Sequence, residues 1–106
     1  MLKIIGMYHF RPDLPLEQCM RHWTVVHPNV VRRTVPGVRR YVQDVPLRMS
    51  RRQWPYSAVS ELWFDDMAAI KTAYGSPELA AERMEDEASF MTQDYSWLIA
   101  EERIQW

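Results

Sequence analysis

The sequence predicts an α+β fold of order β-α-β-β-α-β, a four-stranded antiparallel sheet with helices packed on one face. Three observations carry that expectation. The chain has 106 residues, 47% of them hydrophobic and 25% charged, which suits one small core and is too short for two ordinary domains. Strand-like segments alternate with segments of helical apolar spacing. Two junctions, Asp65-Asp66 and Ser76-Pro77-Glu78, carry the residue types that start helices.

Leu2 to Phe10 is apolar, with β-branched and aromatic residues, and is broken by Arg11-Pro12-Asp13; it reads as the first strand. From Leu16 the apolar positions become Leu16, Cys19, Met20, Trp23, His27 and then Val30 or Val31, the stripe of an amphipathic helix with Pro15 tolerated in its first turn. Pro28 removes a backbone donor, so that helix should kink or break near His27. Val35-Pro36-Gly37 reads as a turn, Val38 to Leu47 as a second strand, and Met49 to Pro55 as a polar, arginine-rich loop.

Ala58 to Phe64 is the third strand, after which Asp65-Asp66 offers a carboxylate cap to a helix over Met67–Tyr74. Gly75 stops that helix, and Ser76-Pro77-Glu78 begins another with an N-cap, an early proline and an acid in the first turn. Ser96 to Ile104 is the fourth strand, with a polar outer face. The order is the ferredoxin-like arrangement, read here as one domain over 1–106 without internal repeat beyond its βαβ pairing, low-complexity tract or linker. The helices leave one sheet face uncovered, yet both alternating sets of strand residues are substantially apolar. Ile5 and Met7 oppose Leu2, Ile4, Tyr8 and Phe10, and Val59, Glu61 and Trp63 oppose Ala58, Leu62 and Phe64. A solvated face would be more polar, so the expectation is a homodimer formed sheet on sheet, open to further assembly of dimers.

The charge pattern excludes less than it first suggests. Residues 1–52 hold ten Lys and Arg against three acids, +7, whereas residues 53–106 hold three against eleven, −8. A basic nucleic-acid surface is one reading; the favoured one is that the two halves neutralise each other on folding, since no nucleic-acid motif overlaps the arginines. No apolar run approaches 18 residues, so no membrane span is expected. The N-terminus lacks a secretory pattern, and Cys19 alone cannot form an intrachain disulfide. A cytoplasmic location follows as the expectation.

Four segments in order, His22-Trp23-x-x-x-His27-Pro28-x-Val30-Val31, Pro36-Gly37-Val38-Arg39-Arg40-Tyr41-Val42-Gln43, Glu61-Leu62-Trp63-Phe64-Asp65 and Ser76-Pro77-Glu78, closely resemble the EthD domain over nearly the whole chain. The resemblance implies a dimeric α+β barrel. It also implies kinship with proteins of ether and aromatic degradation, with 4-methylmuconolactone methylisomerase, and with small dehydratases and cyclases of polyketide pathways. Fold follows from such kinship more firmly than reaction does.

His27 lies four residues after Trp23 on the apolar stripe and should face the space between helix and sheet, where an imidazole can exchange protons near neutral pH without a cofactor. On position alone, a core histidine bonded to a backbone carbonyl is an equal reading; the resemblance favours catalysis, because a catalytic histidine of the methylisomerase matches it. Tyr41 follows the Pro-Gly turn and would polarise a carbonyl or hold a leaving oxygen, again at a position where the methylisomerase has a tyrosine. The methylisomerase's reactive cysteine aligns with Leu62, which counts against lactone isomerisation of that kind.

Trp23, Tyr8, Leu62, Trp63, Glu61 and Trp54 are the candidate substrate-binding residues, Glu61 with a carboxyl that the Trp63 indole would raise in pKa. The alternatives are an aromatic core and a cross-strand ion pair of Glu61 with Arg39 or Arg40. His22 stands about 140° around a regular helix from His27, so the two cannot share a metal as an i, i+4 pair would, and no carboxylate near them in sequence completes a triad. His22 is therefore expected to be partly exposed and bonded to a neighbouring carboxylate, and His9 is a weaker pocket candidate. No metal and no cofactor are expected. The reading is cofactor-free isomerisation, dehydration or cyclisation of a hydrophobic oxygenated molecule. A cofactor-free or haem-linked monooxygenase and a non-catalytic binding protein are the alternatives.

Overall fold

The structure, a computed structural model, describes all 106 residues. Its elements are β1 (Leu2–Phe10), α1 (Leu16–Arg21), a π-helical turn (His22–Val26), α2 (His27–Thr34), β2 (Arg40–Asp44), β3 (Ala58–Phe64), α3 (Met67–Ala73), α4 (Pro77–Ala88) and β4 (Met91–Glu101). They give an α+β, ferredoxin-like fold whose sheet runs β2-β3-β1-β4, antiparallel throughout. No helix is long and apolar enough to cross a membrane.

The helix starts follow from the sequence. The Asp66 carboxylate accepts the Ala69 N–H at 2.8 Å and opens α3, and the Ser76 hydroxyl accepts the Leu79 N–H at 3.3 Å and opens α4. Gly37 has φ +88°, so the Val35-Pro36-Gly37 turn uses a conformation that glycine alone adopts without strain. Two strand boundaries differ from the sequence expectation. The second strand is Arg40–Asp44 rather than Val38–Leu47, because it is an edge strand and Pro46, two residues on, has no N–H to add to a ladder. The fourth is Met91–Glu101 rather than Ser96–Ile104; it begins early because Phe90 and Met91 are buried in the core and carry the polar Thr92-Gln93-Asp94 run into the sheet with them.

The helix break expected near His27 takes the form of a widened turn. Pro28 offers no N–H to the Thr24 carbonyl, and its ring would crowd that oxygen in a regular helix. The turn instead takes one extra residue, with the His27 N–H bonded to the carbonyl of His22, five residues back. The 140° separation predicted for the two histidines therefore does not hold.

Strand register sorts the residues by face. Ile4 pairs with Leu62 and Ile99, Gly6 with Ser60 and Trp97, and Tyr8 with Ala58 and Tyr95, all toward the helices. Ile5 pairs with Glu61 and Leu98, and Met7 with Val59 and Ser96, on the uncovered face. The core under the helices is split. Phe10, Cys19, Trp23, Ala58, Phe90 and Met91 form one cluster, and Val31, Val35, Leu62, Phe64, Ile70 and Ala73 form another. Three of the ten Lys and Arg residues in 1–52 pair with acids of the second half: Lys3 with Glu61 and Glu102, Arg33 with Glu82, and Arg39 with Asp65.

Phe90 is fully buried, edge-on to Phe10 and against both His22 and His27. Phe90→Ala is expected to lower stability by about 3–5 kcal/mol, measured as the shift in a urea unfolding curve.

Candidate active site

Between the two core clusters lies a cavity of about 380 Å3. The sheet supplies its floor through Ile4, Gly6, Tyr8, Tyr41, Ser60 and Leu62, and the helices supply its roof through His27, Val31, Arg83 and Glu87. The floor is small at its centre, where the Tyr8 side chain packs over Gly6 and Ser60. Gly6 and Ser60 face each other across β1 and β3, and a Cβ on Gly6 would stand 3.0 Å from the Tyr8 ring.

His27 Nδ1 lies 2.7 Å from one Asp86 carboxylate oxygen, and His22 Nε2 lies 2.7 Å from the other. The π-turn brings both imidazoles to the same side, where α4 presents Asp86 between them. Side-chain exposure rises from 5% at His27 through 12% at Asp86 to 25% at His22. An ionised carboxylate only accepts hydrogen bonds, so His27 Nδ1 carries the proton and donates it to Asp86. His27 Nε2, at the cavity wall, makes no hydrogen bond and is left as a free base. Burial pushes the His27 pKa below its ordinary value, against the opposing hydrogen bond and charge of Asp86, so the ring rests neutral.

Tyr41 stands across the cavity with its oxygen accepting the Gln43 Nε2–H at 3.1 Å, and the same Gln43 nitrogen donates to the Trp23 carbonyl at 2.6 Å. Burial raises the Tyr41 pKa to about 12, so its O–H remains protonated and available to an oxygen in the cavity. Burial raises Tyr8 and Tyr74 as well, and the Tyr8 hydroxyl hydrogen-bonds Ser60.

Of the residues singled out from sequence, His27, Tyr41, Tyr8 and Leu62 line this cavity together. Trp23 is fully buried behind it, in the first core cluster. Glu61 and Trp63 belong on the other face of the sheet, because odd positions of β3 point away from the helices. There Lys3 hydrogen-bonds the Glu61 carboxyl at 2.9 Å and holds its pKa below the usual range, the reverse of the rise expected beside an indole. Its ion-pair partner is thus Lys3 rather than Arg39 or Arg40, and Trp63 lies between the cations of Lys3 and Arg40. Trp54 is exposed on the 49–57 loop, its indole N–H donated to the Leu47 carbonyl at 2.6 Å. His9 is on the uncovered face, beside the Tyr56 ring.

Asp86, Arg83 and Glu87 escaped the sequence reading. One signal was present: in a helix beginning at Pro77 they fall with Leu79 and Phe90 on a stripe that apolar residues would normally hold. No group of three or more His, Cys, Asp or Glu side chains is arranged to hold a metal ion.

Because the folded pKa of His27 lies below its unfolded value, the unfolded chain binds the extra proton first as pH falls. His27 thus favours folding fully above about pH 6.5 and progressively less below it, until the folded group also protonates. The stability difference between wild type and His27→Gln should shrink by up to about 1.4 kcal/mol per pH unit within that window, read from urea midpoints. Asp86→Asn, which removes the opposing charge, should lower the His27 pKa further in an NMR titration.

The sequence profile of the EthD domain matches residues 11–94. No match was found among curated proteins. Among solved structures, the chain is similar to an EthD family protein of Bacillus halodurans C-125, at 21% identity and TM-score 0.76, with 97% of this chain and 99% of that one covered. It is similar to a dimeric protein of unknown function with a ferredoxin-like fold from Bacteroides fragilis, at 14% identity and TM-score 0.67, with 94% of each chain covered. It is also similar to a mutant of SnoaB, described as a cofactor-independent oxygenase from Streptomyces nogalater, at 15% identity and TM-score 0.63, covering 98% of this chain and 94% of that one. At those identities the structures show a shared fold, and the profile match over most of the chain shows the family: this protein belongs to the EthD family.

Proposed function

We propose that the protein is a cofactor-free acid–base catalyst that isomerises, dehydrates or cyclises a small, hydrophobic, oxygenated molecule held in the cavity. The observation that supports this reading is His27, a buried imidazole with Nδ1 tied to Asp86 and Nε2 unpartnered at the cavity wall. Nε2 takes a proton from a carbon next to a carbonyl, and the imidazolium so formed is stabilised by Asp86. Tyr41 donates its O–H to the carbonyl oxygen as negative charge develops there. The proton then returns to a different carbon, giving an isomer, or to a departing hydroxyl, which leaves as water. Neither course consumes an oxidant or a reductant.

Deuterium exchange tests this with any enolisable molecule that the cavity admits. The protein is incubated in D2O with a panel of enolisable aromatic ketones and lactones, and loss of the α-proton signal is followed by NMR. A ketone that exchanges with wild type should exchange about 100-fold more slowly, or slower still, with His27→Gln, and Tyr41→Phe should show a smaller loss. Wild-type rates in His27→Gln would remove the reading. A second reading, cofactor-independent oxygenation in the same cavity, is supported by the likeness to SnoaB, and oxygen consumption with such a substrate would identify it.

The same reading includes a homodimer. Ile5, Met7, Val42, Val59 and Leu98 share the uncovered sheet face around the Lys3–Glu61 pair, and packing against a second copy would remove these apolar side chains from water. Native mass spectrometry should give twice 12.7 kDa, and Met7→Glu should shift the population to monomer. A wild-type monomer at micromolar concentration would count against the dimer.

A further inference from the structure

Arg83 is the only lysine or arginine that lines the cavity. Three other arginines sit against carboxylates: Arg11 with Asp13, Arg33 with Glu82 and Arg39 with Asp65. Arg83 makes no ion pair within 4.0 Å. Its guanidinium lies over the Tyr74 ring at 4.8 Å, and its one hydrogen bond is a long one, 3.4 Å to the Thr34 carbonyl. A guanidinium has five N–H donors in a planar fork, so most of this one's capacity is unused.

Glu87, one turn further along α4 and also at the cavity wall, forms no ion pair with it within 4.0 Å. Burial raises the Glu87 pKa and the charge of Arg83 opposes that rise, so Glu87 is a partial counter-ion that an incoming anion would compete with. A half-buried cation held over a ring at the wall of a mainly apolar cavity, with most of its donors unspent, is placed to take up an anion. The rest of the lining is mainly apolar and aromatic, and about 380 Å3 sits at the small end of ligand pockets.

We propose that Arg83 is an anion-binding residue of the cavity, and that the ligand is a one- or two-ring apolar molecule bearing two coplanar oxygens that share a negative charge. An aromatic carboxylate and the enolate of a β-dicarbonyl both have this geometry, and both match the guanidinium fork. The assignment rests on the reading of the cavity as a small-molecule site. It places the anionic oxygens beside His27 and Tyr41, where a proton moves and negative charge builds on oxygen.

The test is calorimetric titration of the full-length protein with 2-naphthoate, its neutral counterpart 2-naphthamide, the β-diketone 2-acetyl-1-tetralone and the simple ketone 1-tetralone. At least one charged or enolisable probe should bind about tenfold or more tightly than its neutral counterpart; which one does so separates the two ligand sources. Arg83→Met should bring that ratio to about one, Arg83→Lys should keep part of it, and Glu87→Gln should tighten binding of the anion several-fold by removing a competing charge. Equal binding of charged and neutral probes, no binding of any probe, or a preference that survives Arg83→Met would each overturn the assignment. The wild-type ratio decides the matter even if a variant does not fold. It is measured without turnover, so it stands or falls independently of the His27→Gln result.

Discussion

The contact on which the site depends is a carboxylate set between two imidazoles. Asp86 reaches His22 with one oxygen and His27 with the other, and in doing so ties α2 and the π-turn to α4. A carboxylate this little exposed is costly unless it is paired and hydrogen-bonded, and here both oxygens are engaged. The pairing is possible only because the helix is irregular. In a regular helix residues five apart diverge, and one carboxylate could not serve both rings. Pro28 forces the irregularity, and Phe90 lies under both rings and fills the space the wider turn leaves. A backbone penalty imposed by proline thus becomes the arrangement that fixes the tautomer of a buried base.

The cavity is the second half of that arrangement. A chain of this size would gain stability from a continuous core, yet the apolar interior is divided, with His27 at the wall of the gap. The groups around the gap are displaced by burial in complementary senses. His27 is kept neutral, while Tyr8, Tyr41 and Tyr74 stay protonated. A base and several donors therefore coexist in one apolar space at neutral pH. Stability forgone in the core leaves room for a ligand beside these groups.

Much of this was legible in the sequence because it follows from local rules. Period-two and period-3.6 spacing located β1, β3 and the first helix, and side-chain chemistry located the caps at Asp66 and Ser76. His27 and Tyr41 stood out through stripe position and family resemblance, and both line the cavity. Long-range facts were not legible. Nothing near His27 in the chain indicates that its partner lies 59 residues away, and a proline announces a disturbed helix without saying whether it bends, breaks or widens. Glu61 and Trp63 show a subtler limit: alternation puts them on a common face, but only the full sheet shows that this face is turned away from the helices. Trp54 was an aromatic near the right strands in sequence, on a loop that carries it to solvent.

The two sources of the site are physically separate. Its protonic chemistry comes from α2 and α4, through His27 and Asp86, whereas its floor comes from the sheet, where Tyr8 packs over Gly6 and Ser60. A side chain at position 6 would press on the Tyr8 ring and the Ser60 hydroxyl, so it would change the cavity floor by displacing Tyr8 and leave the hydrogen bonds of the histidine–aspartate clamp in place. The shape of the cavity floor and the hydrogen bonds of the clamp are thus set by different elements of this fold, so the one can vary while the other stays in place.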